Sequence, residues 1–114
     1  MNDLEWKKLT VEELNHAENS REQGNEGRAR VCARRAAGHI AGEYLQRNGM
    51  KVDSMNSLNR LKAMLSRNEL SQGTKSIIEH FLIHTTTEHN LPIEADLIED
   101  VRFLALDLLN TDIE

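Results

Sequence analysis

The sequence predicts an all-α protein, an up-and-down four-helix bundle with an additional helix, about five helices in all. Three observations lead to that class. Apolar residues recur at helical spacing in most segments. Six glycines, one proline and 4% aromatic residues are too few turn and strand signals for a β architecture. The breaks between helical stretches are short, which favours antiparallel neighbours. With 114 residues the chain is sized for one domain, 1–114, burying about two-thirds of its unfolded surface in a single core.

Thr10-Val11-Glu12-Glu13 has the form of a capping box, in which the Thr10 hydroxyl accepts from the Glu13 amide and Glu13 reaches back to the Thr10 amide. A first helix is predicted from there to about Gln23, closed by Gly24, with Leu4-Glu5-Trp6 either extending it or packing as a separate turn. The second and longest runs from about Asn25 to Arg47 and stops at Asn48-Gly49, where glycine can take a left-handed cap. A third runs from Asp53 or Ser54 to about Arg67, with Leu58, Leu61 and Leu65 on one stripe. A fourth, from Ser71 or Thr74 to about His89, carries Ile77, Ile78, Phe81 and Leu82. Asn90-Leu91-Pro92 breaks the chain. The fifth helix, from about Ile93 to Asn110, gathers Leu97, Ile98, Val101, Leu104, Ala105 and Leu108 in one sector.

Composition removes several function classes. A single cysteine, Cys32, excludes a disulfide scaffold and a Cys-cluster zinc site, and fits a reducing compartment. The opening MNDLEWKKLT has no apolar run, and no stretch approaches the roughly 20 apolar residues of a bilayer span. A cytoplasmic protein without membrane contact is expected. No Gly-rich phosphate loop, nucleophile elbow or paired-carboxylate site is present, so no cofactor is expected. The net charge is −5, yet RARVCARR at 28–35 has four arginines and no acid, while 88–114 holds eight acids against Arg102 alone. Either the basic segment faces an anionic ligand, or basic and acidic helices pair within or between subunits.

Five groups of residues are candidates for function. Arg35, His39 and Glu43 share one stripe of the second helix, where Arg could hold a phosphate, His move a proton and Glu orient the His; a solvated salt-bridge row needs the same residues. Arg30 and Arg34 lie beside the small face of Ala33, Ala37, Gly38 and Ala41, suited to gripping a phosphate or to pairing internally. His80, His84 and Glu88 have the spacing of helical metal ligands, but Phe81 stands where a zinc protease needs its Glu, so a polar edge beside the core stripe competes. Gly38 and Gly42, one turn apart, let another helix approach closely, within the bundle or between subunits. Phe103 and Leu106 fall outside the apolar sector of the last helix, as a homodimer interface or as an edge covered by the Trp6 segment. Cys32 and His39 stand about 10 Å apart along a helix axis, too far for a dyad.

The stretch GRARVCARRAAGHIAGEYLQRNG, with Ala29, Ala33, Ala36, Ala37, Glu43 and Leu45, resembles the second helix of HEPN domains. The helix from Glu12 to Gly24, SLNRLKAML and LPIEADLIEDVRFLALDLL are similar to the family's other helices, so the resemblance covers about 10–110. It implies a small helical bundle, a homodimer, and a non-catalytic nucleotide- or RNA-binding or protein-interaction module, accessory to a nucleotidyltransferase. On that reading Arg30, Arg34, Arg35 and His39 form the binding surface. Many HEPN proteins are ribonucleases with an Arg followed a few residues later by a His, and Arg34 and His39 satisfy that spacing. At about 100° per residue the two stand about 140° apart on one helix. A metal-independent ribonuclease therefore needs Arg34 or Arg35 and His39 to meet across a dimer. A purely structural interaction protein is the third possibility.

Overall fold

In the computed structural model, residues 5–83 and 96–113 are described. Within them the chain forms α1 (Glu5–Glu22), α2 (Glu26–Arg47), α3 (Ser57–Leu65), α4 (Gln72–His80) and α5 (Leu97–Leu109), and no strand. The predicted all-α bundle is what forms. The Cα radius of gyration is 13.4 Å, close to the roughly 13 Å of a compact chain of about 100 residues.

The starts of α2 to α5 are written in side chains. Asn25, Asn56, Ser71 and Asp96 cap α2 to α5, each accepting from an amide two or three residues on. The predicted capping box at Thr10 does not form. α1 begins at Glu5, taking the extending alternative, because Trp6 is buried in the core at 4% exposure. Thr10 then lies inside the helix, where its hydroxyl donates to the Trp6 carbonyl at 2.7 Å. α3 starts later than predicted because Asn56, not Asp53, is its cap. α4 ends at His80, with Phe81 as its cap, rather than running on towards His89. α5 starts at Leu97 because the extended Asp96 binds the Ile98 and Glu99 amides.

The ends are equally local. Gly24 and Gly49 take positive φ, +78° and +87°. At each the flanking amides turn back to the helix: Gly24 to Arg21 and Asn25 to Ser20, Gly49 to Gln46 and Met50 to Leu45. Arg21 then fixes the first corner, donating to both Glu26 oxygens at 3.0 and 2.9 Å and reaching Asp96 at 3.1 Å.

α2 is the central helix, packed against α1, α3 and α5. Its buried residues include Ala29, Ala33, Ala36, Ala37, Ile40, Ala41 and Leu45, which cannot all lie on one narrow face. Small side chains let neighbours close in from several directions. α3 closes in over two glycines: a Cβ on Gly38 would stand 2.8 Å from the Ser57 Cα, and one on Gly42 2.5 Å from Arg60 Nη1. The predicted helix-pairing role of these glycines is thus taken within the chain. Phe81, Leu61, Met64, Ile78, Val101 and Leu104 fill the core around it.

Candidate functional site

Two of the predicted site residues, Arg34 and His39, go to different surroundings. Arg34 lies on the side of α2 that faces the end of α4, and its Nε donates to the Phe81 carbonyl at 2.9 Å. That carbonyl caps α4, so the arginine satisfies a group the helix itself leaves unpaired. His39 instead lines a cleft between α1, α2, α3 and the loop before α3, with Trp6, Gly42, Glu43, Asp53 and Arg60 among its walls. The 140° separation read from the sequence is real: Arg34 and His39 do not meet within one chain. Arg30 is engaged within the chain.

The line Arg35, His39, Glu43 keeps its common stripe, and its two charged ends form ion pairs with residues outside the line. Arg35 Nε stands 4.0 Å from Glu13 of α1 and remains 62% exposed. Glu43, buried, accepts from Arg47 Nε at 2.8 Å one turn later. Burial pushes the His39 imidazole below its ordinary pKa; Glu13 and Glu12 oppose that shift and Arg60 adds to it. The net shift favours the neutral imidazole.

The cleft holds about 180 Å³, less than the roughly 300 Å³ at which small-molecule pockets begin. It has room for one side chain or one small polar group, not for a whole nucleotide. Arg60 closes one wall. Its Nη1 and Nη2 reach the Gly38 and Val52 carbonyls at 3.5 and 3.2 Å, tying α2, the following loop and α3 together. Arg60 Nε and Glu13 Oε2 are buried and make no hydrogen bond, so two opposite charges near His39 are incompletely satisfied.

Searches of protein-family models, curated proteins and solved structures return no match to this chain. The residues themselves carry the functional reading.

At the other end of the bundle, His80 Nδ1 lies 2.9 Å from Asp100 of α5, and burial raises the Asp100 pKa against the opposing pull of His80. His80 is thus committed to α5; His84 and Glu88, its predicted co-ligands, lie outside the described residues. Among the described residues no three metal-ligating side chains converge. Phe103 and Leu106 are 45% and 57% exposed, and Trp6 sits in the α1–α2–α3 cleft rather than over them. Cys32 is buried and free.

Sequence reasoning missed Arg60, Trp6 and Asp53 as residues that line the His39 cleft. A signal for Arg60 existed. Ser57 and Arg60 are one turn apart on α3, matching Gly38 and Gly42 one turn apart on α2.

Proposed function

We propose that this chain is a non-catalytic, HEPN-like helical binding module of the cytoplasm whose partner is a protein. One observation carries the reading: among the described residues every arginine except Arg28 and the largely exposed Arg35 is already held within the chain. Arg34 serves a helix end, Arg60 bridges two segments, and Arg21, Arg47, Arg67 and Arg102 hold carboxylates. Arg35 stands beside Glu13, and Arg30 is engaged as well. A phosphate ligand would have to displace these contacts in a chain of net charge −5. Exposed Phe103 and Leu106 suit a protein surface instead. No helix among the described residues is long and apolar enough to cross a membrane, and a buried free Cys32 fits a reducing compartment.

Nucleotide or RNA binding, beside a nucleotidyltransferase, is the second reading. It is favoured by Arg28 and Arg35, which are exposed on the open side of α2. Light scattering at low salt with a mixed RNA and nucleotide pool separates the two. The protein reading expects no bound material. Bound material that is lost in Arg28→Ala/Arg35→Ala overturns it in favour of phosphate recognition.

A further inference from the structure

The cleft beside His39 contains a cation that its surroundings hold in place but do not neutralise. Arg60 lines the cleft, and its Nη1 and Nη2 are taken up by the Gly38 and Val52 carbonyls. Its Nε is buried with no acceptor. Among the described residues no carboxylate forms an ion pair with it, although a partly buried cation is ordinarily paired. His39 lines the same cleft, and among the described residues neither ring nitrogen makes a hydrogen bond. The nearby acids are committed or screened. Glu43 gives Oε2 to Arg47 at 2.8 Å, Glu13 stands 4.0 Å from Arg35, and Asp53 is exposed to solvent and salt. Trp6, Leu9 and Val52 supply apolar wall. The volume of about 180 Å³ exceeds the roughly 150 Å³ that encloses one benzene.

We propose that this cleft seats one carboxylate on a short apolar stem, with Arg60 and His39 gripping the carboxylate and Trp6, Leu9 and Val52 covering the stem. This goes beyond the protein-partner reading and does not depend on it. The carboxylate has two sources of the same chemistry, a small free acid or an acidic side chain of a polypeptide. One unpaired guanidinium matches one negative charge. A phosphate dianion would bring a second charge beside Glu43 and Asp53, and a cation would face Arg60. Binding is coupled to a proton. In the empty cleft, burial and Arg60 of α3 hold the His39 ring towards neutral, against Glu13 and Glu12 of α1. Arg35 beside Glu13 tempers that pull, while Glu43 of α2 and Asp53 of the loop before α3 carry charge of the same sign as Glu13. A carboxylate at the ring offsets Arg60, so the imidazole takes up a proton as the site fills.

Trp6 is the sole tryptophan of the chain, so its fluorescence reads the cleft. The full chain is titrated with butyrate and, separately, with a blocked glutamyl peptide, each against chloride at matched ionic strength. A saturable change in Trp6 emission is expected, with a Kd of about 1 mM or tighter. Affinity should be severalfold higher at about pH 6 than at about pH 8, a range in which both probes stay ionised. Calorimetry in two buffers of different ionisation enthalpy should show the proton uptake. The tighter of the two probes names the source, and the glutaminyl counterpart of the peptide should not bind. Arg60→Gln should weaken binding about tenfold or more, and His39→Gln should remove the pH dependence and the proton uptake. If Arg60→Gln loses its helical circular dichroism, His39→Gln decides alone. No saturable response to either probe overturns the proposal, and so does a response that is unchanged in His39→Gln. Either failure leaves the protein-partner reading untouched, because that reading stands on Phe103 and Leu106 of α5.

Discussion

α2 and α5 contribute most of the core and do it in opposite ways. α2 is wrapped by three helices and is built from alanine and glycine, with no single apolar face. α5 buries Leu97, Ile98, Val101, Leu104, Ala105 and Leu109, and leaves Phe103 and Leu106 in solvent. A helix at the centre needs small residues in every direction. A helix at the edge needs large ones in one direction and can carry function on the other.

The comparison breaks most visibly at α5. Leu104→Ala is expected to cost about 2–5 kcal/mol in denaturant unfolding, because Leu104 is fully buried and its loss leaves a cavity. Leu106→Ala, two residues on, is expected to stay within about 0.5 kcal/mol. Equal losses at the two positions would show that the open face is covered.

On α2 the sharpest test is a single methyl. Gly38→Ala places it against the Ser57 backbone, so α3 must shift, at about 1–3 kcal/mol. Gly42→Ala meets the Arg60 side chain and no backbone, so making room costs the Arg60 bonds to the Gly38 and Val52 carbonyls but no shift of α3, and its loss should be smaller.

Arg34→Leu removes the donor from the Phe81 carbonyl and should cost about 1–3 kcal/mol of stability. If stability is unchanged and ligand binding is lost instead, Arg34 is a binding residue rather than a helix cap.

The smallest effect is in pH. The folded-state pKa of His39 is depressed, so its contribution is fully present above the ordinary value of about 6.5. As pH falls below that value the unfolded chain takes up a proton that the folded chain resists, and stability declines until the depressed pKa is passed. His39→Gln should flatten this slope in urea unfolding as pH falls below about 6.5. An unchanged slope would place the titrating group elsewhere. The same substitution should leave any trace RNA cleavage by the preparation unaltered, since no catalytic role is assigned to His39.

Much of the bundle was legible in the residues. Asn48-Gly49 closes α2 because glycine alone adopts its φ of +87° without strain. The apolar sector of α5 and the outlying Phe103 followed from helical spacing alone. The misread starts share one cause. Thr10 and Asp53 offer good caps, but a cap is used only where the next turn can bury something. Trp6 draws α1 back past Thr10, and Asn56 starts α3 where Ser57 meets Gly38. In the candidate site, the 140° between Arg34 and His39 was arithmetic on one helix, and the structure keeps them apart.

The sequence by itself determined the helices, the crowding of small residues on α2 and the apolar residue left outside the sector of α5. Those depend on neighbours within a turn or two. Tertiary structure decided what each charge meets. Arg34 goes to a carbonyl of α4, Arg60 comes beside His39, and α3 covers one half of α2 and leaves the other open. A side chain's partner across the fold depends on how separate helices cross, and no local spacing encodes that.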